Sequence, residues 1–108
     1  MISFDDVKKV EIKVGQIKKA EKIEGSHKLL RLEVDFGEEV LRQVVSGIAL
    51  YFESPEELLE RKCVFVTNLE PREIYGFESQ AMILGVPQDD TFALLTPHVD
   101  VMPGASAS

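Results

Sequence analysis

Ser54-Pro-Glu-Glu57 decides the fold of this 108-residue chain. It reads as a helix start: a serine cap, a proline in the first helical position and a carboxylate that closes the box. The helix is short and is expected to end near Arg61. Three strand-like runs precede it. Two more, with a closing hairpin, follow it.

Outward from that helix, the strands show a period of two. Val10, Ile12 and Val14 alternate with Glu11 and Lys13, the pattern of a half-buried strand. After Gly15 the apolar phase shifts to Ile17, which predicts a bulge or bend at the glycine. Glu24-Gly-Ser26 is a turn. Leu30, Leu32 and Val34 alternate with charged residues as a second strand, and Phe36-Gly-Glu-Glu39 is a hairpin loop. Leu41–Ile48 is a third strand, Cys63–Leu69 a fourth and Ala81–Val86 a fifth. Gln88-Asp-Asp90 turns into a short strand, Phe92–Leu95. Ser3, with Asp6 three residues on, caps a one- or two-turn helix at the N-terminus. The tail from Thr96 holds two prolines and a terminal small-residue run expected to fray.

Five strands with a helix between the third and fourth is the order of the OB-fold, a five-stranded Greek-key barrel. The expectation is therefore an all-β OB-fold with a short helix between strands 3 and 4 and a short N-terminal helix. A β-sandwich is the competing architecture, but it has no need of the helix after the third strand. The length suits one domain, residues 1–108, around one core. An apolar content of 44% predicts a globular chain. No apolar run is long enough to span a bilayer, and Met-Ile-Ser-Phe-Asp-Asp lacks the basic-then-apolar order of a signal peptide. The single cysteine, Cys63, lies in an apolar run and reads as a buried small hydrophobe. Together these features suit a cytoplasmic protein.

The net charge of −7 argues against nucleic acid at first sight. The charge is unevenly spread: residues 1–32 carry a balance of +3 and residues 33–108 one of −10. That leaves two readings, a basic face on an acidic molecule or ordinary solvated strand lysines.

Little in the chain points to catalysis, and the expectation is a protein that is not an enzyme. His27 and His98 stand far apart without Cys or His at ligand spacing, so no metal site is expected. Cys63 has no local partner that marks a nucleophile, and Ser46-Gly47 lacks the nucleophile-elbow pattern. Glu56 and Glu57 suit the first turn of a helix. The glycines are scattered, so no phosphate-cradling loop is present and no cofactor is expected.

A polar constellation is more informative. Lys28 opens the second strand. Arg42 and Ser46 are four apart on the third, so they share a face. Asn68 ends the fourth strand, and Arg72 and Ser79 lie in the loop after it. Such residues can pair with phosphates and with sugar and base edges. Tyr75 and Phe77 are candidates for base stacking, or caps on the open end of the barrel.

Several strings are similar to those of one known family: Ser26-His-Lys-Leu-Leu-Arg-Leu-Glu-Val-Asp35, Arg42-Gln-Val-Val-Ser-Gly-Ile48, Pro55-Glu-Glu-Leu58, Asn68-Leu-Glu-Pro-Arg72 and Gly76-Phe-Glu-Ser-Gln-Ala-Met82. They resemble the tRNA-binding domain family over residues 4 to 104. That family includes the C-terminal domain of methionyl-tRNA synthetases, free-standing tRNA-binding proteins, a synthetase-associated cytokine domain and an export-linked chaperone. The resemblance implies an OB-fold that is not an enzyme and a homodimer that binds tRNA by shape, as an accessory to an aminoacyl-tRNA synthetase, methionyl first. A chaperone-like or protein-interaction module on the same fold is the alternative. By resemblance, the RNA-facing residues are Lys28, Arg42, Ser46, Asn68, Arg72, Ser79 and Met82, and the dimer uses the N-terminal segment and the C-terminal strands. The chain departs from the family at His27 (usually Asp), Glu70 (usually Lys) and Ala81 (usually Gly). Glu70 places a carboxylate where a phosphate contact is expected, which removes one salt-dependent contribution to affinity.

Overall fold

The computed structural model describes residues 1–108. A five-stranded antiparallel sheet runs in the spatial order β3-β2-β1-β4-β7, with β1 Ile12–Lys22, β2 Leu30–Asp35, β3 Arg42–Ser46, β4 Lys62–Val66 and β7 Met82–Ile83. The first three strands form a meander and the fourth returns beside the first, which is the Greek-key order. Leu30, Leu32 and Val34 pack inward with Ile17, Val44, Leu58 and Phe65 as a fully buried core. This is the expected OB-like barrel.

The helix that announced the fold is a single 3-10 turn, Pro55–Leu58, closed by the expected box: the Ser54 N–H donates to the Glu57 carboxylate at 3.0 Å. It ends at Leu58 and not near Arg61, because the next residues are drawn onto β1. The Glu60 N–H donates to the Ile17 carbonyl at 2.7 Å, and the Ile17 N–H donates to the Arg61 carbonyl at 3.0 Å. Glu60 adopts the left-handed conformation, φ 67°, to make that connection. The N-terminal helix α1, Phe4–Lys8, is capped by Ser3 and Asp6 as expected, and none of its residues is buried.

The β1 irregularity lies between Ile17 and Lys19 and not at Gly15. Pairing with β4 runs unbroken from Ile12 to Gln16. Alternation along that stretch puts Gly15 on the core side with Ile17, and Ile12 and Val14 on the outer face. Gly15 is required because the Phe36 ring and the Val34 side chain approach to 2.6 Å of where a Cβ would stand. The phase shift in the sequence therefore records a change of the face that is apolar, not a break in the strand.

The segment Asn68–Met82 is not a plain loop. It contains a hairpin, β5 Arg72–Ile74 and β6 Phe77–Ser79, turned at Tyr75 and Gly76 with φ of 53° and 84°. Positive φ at both central residues is the turn whose twist matches the flanking strands. Ile74 and Phe77 pack on Ile23, Leu29 and Val45, so the hairpin lies across the outer face of β3. The expected fifth strand is also divided: β7 covers only Met82–Ile83, and Gly85–Gln88 forms β8, hairpinned with β9 Thr91–Leu94. Gly85 permits the bend because the Phe92 ring occupies the space of a Cβ there. The tail does not fray. Val14 exchanges backbone hydrogen bonds with Gly104 and Ala105, and the Ala107 N–H donates to Ile12.

Candidate nucleic-acid interface

The barrel closes along a seam between β3 and residues 78–81. The Gln43 N–H donates to the Gln80 side-chain oxygen at 2.8 Å, the Gln80 N–H returns a bond to the Gln43 carbonyl, and the Gln43 side chain donates to the Glu78 carbonyl. One step along, the Val45 N–H donates to the Ser79 hydroxyl at 3.0 Å, and that hydroxyl donates to the Ala81 carbonyl. Ser79 is buried and both of its hydrogen-bonding roles are taken.

Arg42 belongs to the same seam. Its guanidinium forms a two-pronged pair with Glu38 at 2.8 and 2.9 Å, donates to the Thr67 carbonyl at 2.8 Å and lies over the Phe36 ring. The Arg42 hydrogen bond holds the Glu38 carboxyl below its usual range, and Glu38 in turn raises the Arg42 guanidinium. Arg42 and Ser46 do share a face, but it is the inner face that carries Val44. They stand about 13 Å apart, at opposite ends of the strand. Asn68 is tied to the end of the barrel where Arg42 stands. It accepts the Glu11 N–H and donates to the Lys9 carbonyl, each at 2.8 Å.

The remaining expected residues are differently placed. Arg72, Met82 and Ser46 line a groove between the hairpin and β7, with Glu70, Leu69 and Ile74. Arg72 and Met82 are exposed. Lys28 lies at the Ser46 end, where its carbonyl accepts the Ala49 N–H. Tyr75 is tethered there by its hydroxyl, which donates to the Gly25 carbonyl at 2.8 Å, while Phe77 packs against the small cluster beneath the hairpin.

The ion pairs separate committed cations from free ones. Lys9, Lys13, Lys18, Lys19, Arg31, Arg42 and Lys62 are paired with carboxylates. Lys8 sits over the Phe4 ring, and Arg61 donates to the Glu57 carbonyl. Lys22, Lys28 and Arg72 make no such contact. Lys22, Leu30 and Ser46 form one row across β1, β2 and β3, so Lys22 joins Lys28 at the same end. Sequence inspection missed Lys22; its only signal is its place at the end of a long strand, just before the turn that leads to Lys28.

Cys63 is buried, and burial pushes its thiol up to about 11, away from nucleophilic use. No helix is long and apolar enough to cross a membrane.

The profile of a family described as "Putative tRNA binding domain" matches residues 12–106. The chain is 50% identical over 107 residues to a methionine–tRNA ligase of Helicobacter pylori, covering 99% of this chain and 16% of the ligase. It is 44% identical over 107 residues to that of Thermotoga maritima, covering 99% of this chain and 17% of the ligase. The chain thus spans about a sixth of the length of these relatives. Among solved structures, it superposes on a methionyl-tRNA-synthetase-related protein from Pyrococcus horikoshii with a TM-score of 0.91 at 40% identity, covering 100% of this chain and 98% of that one. The chaperone CsaA from Bacillus anthracis gives a TM-score of 0.87 at 31% identity, covering 100% and 99%. With the barrel and the sequence match in agreement, the chain belongs to the tRNA-binding domain family.

Proposed function

We propose that residues 1–108 act as a single non-catalytic unit that binds tRNA as a homodimer, in the cytoplasm, as an accessory to an aminoacyl-tRNA synthetase, methionyl first. The observation that carries this reading is the set of three uncommitted cations, Lys22, Lys28 and Arg72, around the Ser46 end and the hairpin groove. The amide side chains of Gln43 and Asn68, and the side-chain oxygen of Gln80, are spent inside the protein. Phosphates are therefore the main target, which is binding by shape and backbone. Within the expected set, Lys28, Ser46, Arg72 and Met82 are the contact residues. Arg42, Asn68 and Ser79 position the scaffold that presents them.

The dimer is supported by α1. Ile2, Phe4, Val7 and Val10 are exposed, Phe4 at 75% with the Lys8 side chain over its ring, and none belongs to the core. Ile12 and Val14, half-buried on the outer face of β1, follow this segment along the chain. A second copy seated there leaves two cationic ends free, and linked contacts raise avidity.

The test is tRNA binding across a salt titration, with mass in solution measured on the same sample. Log affinity should fall linearly with log salt, by about 0.9 for each phosphate neutralised on a duplex. Absence of binding at about 50 mM salt, where phosphate contacts are strong, rejects the proposal. A second reading is favoured by the exposed apolar lining of the groove, Leu69 and Met82, and by the likeness to CsaA. On that reading the chain suppresses aggregation of an unfolded client, and tRNA competes with the client for the groove.

A further inference from the structure

The hairpin that crosses β3 turns on Tyr75 and Gly76, with φ of 53° and 84°. A two-residue turn with positive φ at both positions favours Asn-Gly, because asparagine tolerates the left-handed region and a bulky side chain does not. This chain places a tyrosine there, and the core gains nothing in return. Ile74 and Phe77, on either side of the turn, pack on the cluster beneath the hairpin. Tyr75 belongs to no part of the core and is 57% exposed. Its ring takes part in neither aromatic pair of the molecule, Phe36 with Phe65 and Tyr51 with Phe92.

The hydroxyl, by contrast, is anchored. It donates to the Gly25 carbonyl at 2.8 Å, the one hydrogen bond between the hairpin, residues 72–79, and the loop of residues 23–29. Gly25 makes room for it: a Cβ there would stand 2.7 Å from the hydroxyl oxygen. The ring is thereby held at one end while more than half of the residue stays in solvent. The loop that holds it also carries cations. Lys22 and Lys28, both uncommitted, each stand three residues from Gly25, at most about 11 Å along an extended chain. Glu24 is the one carboxylate of residues 22–28. A fixed, exposed aromatic ring beside free lysines is the arrangement that holds a single strand of nucleic acid: a base stacks on the ring and the backbone follows the charge. In a folded RNA the bases available for this are the unpaired ones.

We propose that Tyr75 is a stacking platform for one unpaired base of RNA. The strained turn presents the ring, the Gly25 tether keeps it from swinging, and Lys22 and Lys28 take the phosphates that flank the stacked base. The inference rests on the RNA-binding reading. It adds a contact with a base, made through the flat face that every base possesses.

The test uses the full chain with a labelled oligoadenylate and an abasic oligomer of equal length, so that charge is the same and only the bases differ. Folded tRNA is measured in parallel. The wild type should bind the oligoadenylate about tenfold more tightly than the abasic strand, the contribution of one stacked base. Tyr75→Asn should erase that margin and leave the salt slope of the remaining binding unchanged. Its melting temperature should hold, because the lost hydrogen bond is offset by relief of strain in an Asn-Gly turn. Tyr75→Phe keeps the ring and should keep most of the margin. Equal binding of the two oligomers by the wild type, with tRNA still bound, overturns the platform and leaves the tRNA reading standing. A margin that survives Tyr75→Asn overturns it as well. So does a margin that Tyr75→Phe removes completely, because the tether then matters and the ring does not. A clear fall in melting temperature in Tyr75→Asn marks the tyrosine as a structural strap and also overturns it. If neither tRNA nor either oligomer binds, the RNA reading and the platform fall together.

Discussion

The Asn68 side chain accepts the backbone N–H of Glu11 at 2.8 Å and so fixes the start of β1 against the end of β4. Its amide nitrogen holds the Lys9 carbonyl at the same time. Asn68→Ala removes both bonds in an exposed setting, so thermal melting should show a loss of about 1 kcal/mol. The salt dependence of tRNA binding should not change, because no phosphate contact is removed. A variant that loses tRNA affinity with unchanged melting would show that Asn68 touches RNA directly.

The apolar face of α1 gives a second prediction. Phe4 is exposed and contributes nothing to the core, so Phe4→Asp should leave the protomer folded. Sedimentation should then report the single-chain mass of 12.1 kDa in place of twice that value. Affinity for tRNA should fall through the loss of paired contacts, with the fold unchanged by circular dichroism.

Arg72→Glu tests the groove. Arg72 is exposed and carries no internal partner, so its melting temperature should move little. The slope of log affinity against log salt should shrink by about 0.9 if one phosphate contact per site is lost. Lys28→Glu should act in the same direction. A large drop in melting temperature in either variant would reassign that residue to the scaffold.

Stability should depend on acid through Glu38. Its folded carboxyl lies below the ordinary value of 4.5, held down first by the Arg42 hydrogen bond. A depressed carboxylate contributes stability that is present above the ordinary value and lost as pH falls through the lower folded value. Glu11, held down chiefly by the Thr67 hydroxyl, and Asp6, held down chiefly by the Ser3 backbone, share that sign. Melting temperature should therefore fall on acidification below pH 4.5, and Glu38→Gln should flatten the fall. Arg42→Ala should cost about 1.5–3 kcal/mol at neutral pH, since it removes charged hydrogen bonds across the seam.

Much of this fold was legible. Alternation in Leu30–Val34 and the two capping boxes, Ser3 with Asp6 and Ser54 with Glu57, are local signals, and each marks an element that exists. The site was less legible, for a geometric reason. A period of two says that Arg42 and Ser46 share a face, but Val44 and Val45 are both apolar, so the pattern does not say which face is the interior. The partners of Ser79 and Gln80 lie on a strand more than thirty residues earlier, at Val45 and Gln43. A polar residue satisfied at that separation looks the same in sequence as one that awaits a ligand. The Tyr75 turn was hidden likewise, because tyrosine seldom takes positive φ and is held there by the Gly25 carbonyl.

The seam has one more consequence. β3 is the last strand on its side of the sheet, and its outward N–H groups, at Gln43 and Val45, would offer a template for strand addition by another chain. Gln80 and Ser79 fill those positions with side-chain oxygens. The same two residues that shut the barrel therefore also blunt its edge. Replacing them would expose an adhesive strand to neighbouring copies, so their role reaches beyond the single folded chain to its behaviour in a crowded solution.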